Sequence, residues 1–368
     1  MRVGFDASVI ALNQAGSGVY ASSLLRSLRA LNTETECVAF SVRQEREMSA
    51  SKTLRTRVDT IYRDILWTHA LLPRQAESAE VDLLHMPAGV IPLHSHCPTV
   101  VTILDTTVLQ SPANFPFWHR NYSRLLIPFS AKHASIVLTI SNHSKRDIAS
   151  RLQVAPEKII VTHLAASEEF RLIPESDTAS ALQKYSLSSY LLCVSTLEPR
   201  KNMVRLLQAY GRVHRDRTVP LLVHVGPKGW HYAAIFQEVE RLGLEDSVRF
   251  LGRVPLSDLV ALYNAASALI YPSLYEGFGL PPLEAMACGC PVVASNAASL
   301  PEVVGDAGIL IDPCDVDALA NAMCTVLGDK GVGGELRERG LKRAKLFSWE
   351  RCAQETVSAY HRAVAAPC

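Results

Sequence analysis

Short runs of β-branched and aliphatic residues recur along the chain, separated by stretches of helical spacing, and this alternation constrains the fold more than any other feature. The runs include Val3–Phe5, Val100–Leu104, Ile136–Ile140, Ile159–Thr162, Leu191–Val194, Leu221–Val225, Val248–Leu251, Ala268–Tyr271 and Val292–Ala294. Helical spacing falls between them at Gly18–Leu31, Ser141–Leu152, Met203–Val213, Ser257–Ala266 and Asp315–Leu327, and again at Trp349–Val364. Runs that are apolar throughout, rather than alternating, mark parallel strands covered on both faces. Strand and helix in repeated succession predict doubly wound α/β sheets. A length of 368 residues suits two such domains. The polar stretch Arg171–Leu187, interrupted by Pro174, precedes a fresh strand at Tyr190–Ser195 and predicts a boundary there. Residues 1–170 and 171–348 are expected to form two Rossmann-like domains hinged closely about a cleft at the carboxyl ends of their strands, where open sheets bind ligands.

Bulk composition excludes several classes. Thirty-seven basic and 36 acidic side chains leave a net charge of +1, which argues against a nucleic-acid partner. Asp6 interrupts the N-terminal apolar run too early for a secretion signal. No run reaches the roughly 18 apolar residues of a membrane span, so a cytoplasmic protein is expected. Nine scattered cysteines, an odd number, read as reduced thiols rather than a disulfide framework. Cys288 and Cys290 lack a second ligand pair and read as structural; no metal site is expected.

Three segments carry chemistry. The stretch from Tyr275 to Gly289, YEGFGLPPLEAMACG, follows a buried strand and opens a helix. Gly277 and Gly279 permit close backbone approach and positive φ, and Pro281 and Pro282 suit a first helical turn. Backbone donors at that helix start form a site for phosphate. Glu276 on the loop and Glu284 in the first turns can each accept hydrogen bonds from a hydroxyl pair, one on a sugar and one on a ribose. Helix capping or solvation is the plainer alternative. The second segment, Ser195 to Asn202, holds Arg200 and Lys201, a guanidinium fork and a point charge suited to a diphosphate. Cations at a helix start oppose its dipole, which is unfavourable unless an anion sits there. An exposed basic pair near Glu198 is the alternative. The third, Gly16-Ser17-Gly18 after the first strand, lacks the full dinucleotide spacing and is weak by itself.

These segments resemble the retaining glycosyltransferases of family four. The resemblance rests on Glu276-x7-Glu284 within EGFGLPPLEAMACGCPVVAS, Pro301-Glu302 after it and Arg200-Lys201 before it. Val3-Gly4-Phe5-Asp6-Ala7, the segment from Thr139 to Asp147 and Phe347-Ser348-Trp349 extend it over nearly the whole chain. It implies a GT-B fold, with an acceptor domain at 1–170, a nucleotide-sugar donor domain at 171–348, and a terminal helix at 349–368 crossing back to the first domain. It implies that Arg200 and Lys201 bind the donor diphosphate and Glu284 the ribose. Glu276 and the amides of Gly277, Phe278, Gly279 and Leu280 would contact the transferred sugar and its phosphate. Gly252, Arg253 and Val254 would lie against the base, Ser195 would line the site, and Gly16 and Gly18 would approach the β-phosphate. Many relatives carry a histidine where this chain has Leu104. Asp105 beside it, and His85 after the run Val81–Leu84, are the remaining candidates to face the sugar, a satisfied structural histidine being the equal alternative for His85.

The activity so implied is a hexosyl transfer of mannosyl, glucosyl or rhamnosyl type from a UDP- or GDP-sugar to a glycan or lipid-linked acceptor. It would retain the anomeric configuration and use no metal or cofactor beyond the co-substrate. Asp315-Val-Asp317 near a helix start reads as capping rather than metal binding. A nucleotide-sugar epimerase of the same fold and a non-catalytic nucleotide-sugar-binding protein are the rival readings. Residues 120–158 hold Arg120, Arg124, Lys132, Lys145, Arg146, Arg151 and Lys158 against Asp147 and Glu157. This basic excess reads either as a surface for anionic membrane or as solvated helix faces.

Overall fold

A computed structural model describes residues 1–12, 16–31, 34–41, 62–110, 112, 117–216 and 219–365. The chain divides into two compact units, one of residues 1–164 with the C-terminal helix Trp349–Ala365, the other of residues 165–348.

The first unit holds a parallel six-stranded sheet in the order β2-β1-β3-β4-β5-β6. Its strands are β1 (Arg2–Asp6), β2 (Glu36–Phe40), β3 (Leu83–Met86), β4 (Thr99–Thr102), β5 (Ile136–Thr139) and β6 (Ile159–Val161). All four residues of β3, of β4 and of β5 are buried, which is why those strands show no alternation. The C-terminal helix buries Cys352, Ala353, Thr356, Val357, Ala359, Tyr360 and Ala363, a stripe at three- and four-residue spacing, and packs on the helix Ser17–Ala30.

The second unit holds β7 (Tyr190–Val194), β8 (Leu221–Val225), β9 (Val248–Gly252), β10 (Ala268–Tyr271), β11 (Val292–Ser295) and β12 (Gly308–Ile311). Their order, β12-β11-β10-β7-β8-β9, is parallel throughout. Winding therefore runs outward from β7 in one direction and, after a crossover, outward from β10 in the other. The carboxyl ends of β7 and β10 flank the point of reversal, where doubly wound sheets bind ligands.

Elements that the apolar pattern did not mark have physical reasons for being faint. β2 and β12 are edge strands; β2 opens on exposed Glu36 and β12 on Gly308, so neither is an apolar run. The stretch expected to be a polar connector contains the helix Glu175–Tyr185, which buries only Thr178 and Ala181 and closes on a left-handed Ser186 at φ 51°. It lies within the second unit, which begins at Ala165, ahead of the expected boundary. The helix Phe117–His133 runs through Pro128, and the helix Lys330–Ala344 contains Gly331, Gly333, Gly334 and Gly340. Both residue types argue locally against helix, and tertiary packing overrides them.

Candidate functional site

The loop leaving β7 and the loop leaving β10 lie side by side in the second unit and are tied to each other. Pro199–Lys201 forms a single 3₁₀ turn, and Asn202 closes it in the left-handed region at φ 60°. The Asn202 amide donates to the carbonyls of Pro272 at 3.0 Å and Pro313 at 2.7 Å. The backbone N–H of Leu274 donates to the Arg200 carbonyl at 2.9 Å. Turn and loop are therefore one assembly, fixed before any ligand is considered.

On that assembly Arg200, Lys201 and Glu276 meet. Lys201 Nζ donates to Glu276 Oε1 at 2.6 Å and to Tyr271 Oη at 3.1 Å, and its ammonium stands over the Tyr271 ring. The Tyr271 hydroxyl in turn donates to Glu276 Oε1 at 2.8 Å. Arg200 Nη1 donates to Glu276 Oε2 at 3.2 Å and to the Tyr275 carbonyl at 2.9 Å. Its other edge is forked onto Glu198 Oε1, at 2.9 Å from Nε and 2.7 Å from Nη2. Glu198 is 2% exposed, so the pair is no solvated basic patch. Two cations and two carboxylates leave the cluster near neutrality. The anion that offsets the helix dipole beside these cations is thus already built in.

Burial raises the proton affinity of Glu276, but the charges of Lys201 and then Arg200, with hydrogen bonds from Lys201 and Tyr271, outweigh it. The carboxyl is held at about 2. Lys201 has three donors, and two are used within the cluster. The third is available to an anionic oxygen.

Downstream of Glu276, Gly277, Phe278 and Gly279 are buried and Leu280 is half-buried. Gly279 has φ 115°, and a Cβ there would stand 2.6 Å from Leu300 Cδ2, so only glycine fits. The buried Ser299 hydroxyl lies 2.8 Å from the Glu276 carbonyl and 2.7 Å from that of Phe278, fixing the loop from below. The helix Leu280–Ala287 follows, with proline in its first turn. Glu284, on this helix, accepts a hydrogen bond from Tyr263 Oη at 3.0 Å. Burial pushes its carboxyl up to about 7 against the lowering effect of Tyr263. Glu276 and Glu284 thus sit one motif apart in sequence with opposite shifts, one made permanently anionic by cations and one poised near neutrality by its enclosure.

Ser195, at the end of β7, is 9% exposed and its hydroxyl lies 3.2 Å from Nε2 of the buried His224. Beside it, Gly226 at φ 141° has no room for a side chain: a Cβ would fall 1.9 Å from the Ser195 carbonyl oxygen. The Gly226 N–H donates to the Gly252 carbonyl at 2.8 Å, which aligns the end of β9 with the same rim. Gly252 has φ 68° with open space around it, Arg253 is exposed and Val254 half-buried.

The candidates in the first unit fare differently. Gly16 precedes the helix Ser17–Ala30 at φ 41°, and Gly18 is buried in its first turn. Half-buried Asp105 accepts from the Thr107 N–H at 2.8 Å, initiating the short helix Thr107–Gln110, and Leu104 is half-buried beside it. His85 is a correction. It is 0% exposed, with Nδ1 at 2.7 Å from Tyr360 Oη and Nε2 at 2.8 Å from Thr102 Oγ1. Thr102 Oγ1 also lies 2.9 Å from Tyr20 Oη. Burial lowers the imidazole to about 3, so it stays neutral. His85 is the centre of a polar network that fastens the C-terminal helix to the sheet, and both its nitrogens are taken.

Several contributors had no signal of their own in the sequence: Glu198, Tyr271, Asn202, Ser299 and Tyr263 act through partners distant along the chain. Cys288 and Cys290 are buried free thiols. Asp315 caps the helix Val316–Gly328 by accepting from the Ala318 N–H at 2.8 Å, and Asp317 pairs with Arg212. Among the described residues, no helix is long and apolar enough to cross a membrane.

Comparison with known proteins bears on both units. The family profile "Glycosyl transferases group 1" matches residues 177–347, and "Glycosyltransferase Family 4" matches residues 15–169. The O-antigen chain mannosyltransferase B of Escherichia coli is 40% identical over 282 residues, 76% of this chain and 74% of that protein. Among solved structures, sucrose-phosphate synthase from Thermosynechococcus elongatus superposes with a TM-score of 0.77 at 20% identity, covering 100% of both chains. Anabaena HepE in complex with UDP and glucose gives 0.75 at 21% identity, covering 98% of this chain and 99% of that one. At such identities the likeness speaks to fold, and the fold is GT-B.

Proposed function

The chain belongs to the group 1 glycosyltransferases, and we propose that it transfers a mannosyl residue from a nucleotide diphosphate sugar to a growing glycan or lipid-linked acceptor, with retention and without a metal. The sugar is inferred from the 40% identical relative, a mannosyltransferase named for O-antigen chains. The observation that carries the proposed chemistry is the convergence of Arg200 and Lys201 on Glu276, with Lys201 Nζ 2.6 Å from its carboxylate, where the winding of the second sheet reverses.

In this reading the diphosphate takes the third donor of Lys201, the nearby positive charge of Arg200, whose fork stays on Glu198, and the amides of Gly277, Phe278, Gly279 and Leu280. Placed there, the two cations stabilise the negative charge that develops as the glycosidic bond to the phosphate breaks, the task a metal ion performs elsewhere. Glu276 receives the hydroxyls of the transferred sugar, and Glu284 those of the ribose. Gly252, Arg253 and Val254 flank the base, and Ser195 lines the rim.

The state of Glu276 supports same-face transfer. A carboxylate bound by two cations and a phenol, and held at about 2, is a weak nucleophile and a weak base. It is poorly suited to the covalent intermediate of a retaining hydrolase. The departing phosphate oxygen is then the base that takes the acceptor proton, and catalysis rests on positioning and charge.

The test is a panel of UDP- and GDP-sugars scored by thermal stabilisation, then by transfer to mannosylated acceptors, with the product's anomeric configuration read by NMR. A mannosyl donor should stabilise most and give a product of unchanged configuration. An inverted product would end the same-face mechanism. Stabilisation by no nucleotide sugar would end the site assignment.

A further inference from the structure

Two helical segments of the first unit present large apolar side chains to solvent on one face. On the helix Phe117–His133, Phe117 is 74% and Leu125 73% exposed, and Trp118 is exposed between them. These positions fall seven to eight residues apart, on a single stripe. On the π-helical segment Tyr62–Leu71, Tyr62, Ile65 and Leu66 are exposed. Hydrogen bonds bring the two segments together. Trp118 Nε1 donates to Asp64 Oδ2 at 3.0 Å, and Tyr122 Oη donates to the Asp64 carbonyl at 2.6 Å. Tyr122 Oη also lies 3.3 Å from His69 Nε2, while His69 Nδ1 accepts from the Leu93 N–H at 3.2 Å. That acceptance puts the imidazole proton on Nε2, and burial, against the Asp64 charge, favours the neutral ring. Leu93, itself 59% exposed, joins the same face. Seven large apolar side chains around one half-buried hydrogen-bonded node are far from the scattered single exposures of an ordinary surface.

Among the described residues, the charges on the longer of the two segments have one sign. The helix Phe117–His133 carries Arg120, Arg124 and Lys132 and no carboxylate. The Arg120 guanidinium stands 5.4 Å from the centre of the Phe117 ring, while Arg124 and Lys132 are exposed. Lys158 reaches the end of the helix, with Nζ 2.6 Å from the Lys132 carbonyl. Asp64 is buried in the node, which leaves Glu157, beside Lys158, as the exposed carboxylate at that end. Arg151 behaves otherwise and pairs with Asp147, both on the helix Asn142–Leu152. A second copy of the chain would set these cations against themselves. An anionic lipid surface answers both halves of the pattern, with cations at the headgroups and Trp, Tyr, Phe and Leu side chains below them.

We propose that this face, Tyr62–Leu66 with Phe117–Leu125, seats the first unit on an anionic bilayer. It gives the lipid-linked acceptor of the proposed function a place in the fold and rests on that reading to this extent. Flotation needs neither donor nor acceptor, so the two can fail separately.

The test is flotation of the full chain with vesicles of phosphatidylcholine alone and of phosphatidylcholine mixed with phosphatidylglycerol. Binding is expected with the mixed vesicles and to fall with added salt. Arg124→Gln with Lys132→Gln should weaken partitioning by roughly thirtyfold, from two exposed surface cations. Phe117→Ser with Leu125→Ser should weaken it by at least on the order of a hundredfold. Both double variants should keep the melting temperature and the nucleotide-sugar stabilisation of the parent, because the altered side chains are exposed and lie outside the second unit. Equal binding to both vesicle types, unchanged binding by either variant, or no flotation together with a dimer that Phe117→Ser, Leu125→Ser dissolves, would each overturn the proposal.

Discussion

Glu284→Gln separates the chemistry of the site from its packing, because the amide keeps the side chain's shape and loses only its titration. In the folded chain the carboxyl sits at about 7, against 4.5 for the unperturbed group, raised by burial. Between those values the folded state binds a proton that the unfolded state has released. Stability must therefore fall as pH rises from about 4.5 to about 7 and level off above. The full shift corresponds to a ceiling of about 3 kcal/mol. Glu284 is partly open to solvent, which screens the charged form, so about 1–2 kcal/mol is the working figure. Urea denaturation of wild type and Glu284→Gln at pH 5 and pH 8 measures it. The variant should gain that amount relative to wild type on going from the lower pH to the higher. Nucleotide binding supplies the complementary reading. Ribose hydroxyls donate to the ionised carboxylate, so affinity for a nucleoside diphosphate should rise about tenfold from pH 6 to pH 8 in wild type and stay level, and weaker, in the variant. A stability difference between the two proteins that is the same at both pH values would refute the enclosure of Glu284. A pH-independent wild-type affinity would refute its contact with the ribose.

Lys201→Ala should lower turnover by at least on the order of a hundredfold, the loss expected when a charge aimed at a departing anion is removed; wild-type turnover would remove Lys201 from the diphosphate site. Transfer should persist in excess chelator, since Arg200 and Lys201 are assigned the metal's task; loss restored by magnesium or manganese would reverse that assignment. Tyr360→Phe leaves His85 Nδ1 without its partner inside the first unit, and the buried orphan should cost about 1–3 kcal/mol in chemical denaturation while the nucleotide affinity of the second unit is unchanged.

What was legible in the sequence, and what was not, divides along a physical line. Interior parallel strands announce themselves because both faces are covered, so β7, β8, β10 and β11 read directly from apolar runs. Of the four edge strands, β6 and β9 still read as apolar runs, whereas β2 and β12 do not, since their half-exposed positions carry Glu36 and Gly308 as readily as valine. Likewise Asp315 could be assigned as a cap from its neighbours alone, because capping is a local interaction. The site is not local. Lys201 and Glu276 are 75 residues apart, and their contact exists because β7 and β10 are hydrogen-bonded neighbours at the reversal of winding.

That distance explains which groups the sequence could put forward and which it could not. Glycine, proline, arginine and lysine in a turn after a strand declare a place where backbone and charge are offered outward, and Gly279, Arg200 and Lys201 are proposed on that ground. The partners that tune those groups declare nothing. Glu198 looks like a surface carboxylate until the fold buries it to 2%, and Tyr271 looks like the last residue of an apolar strand until its hydroxyl meets Glu276. His85 fails in the reverse sense. Its position at the carboxyl end of a strand promised a ligand contact, but the C-terminal helix, from the far end of the sequence, places Tyr360 against one nitrogen while Thr102 takes the other. A polar side chain is available to a substrate only if no remote segment reaches it first, and that competition is decided by packing. The pH behaviour of Glu284 and the response of His85 to loss of Tyr360 probe the two outcomes of this competition, a carboxyl that keeps its freedom to titrate and an imidazole that has lost it.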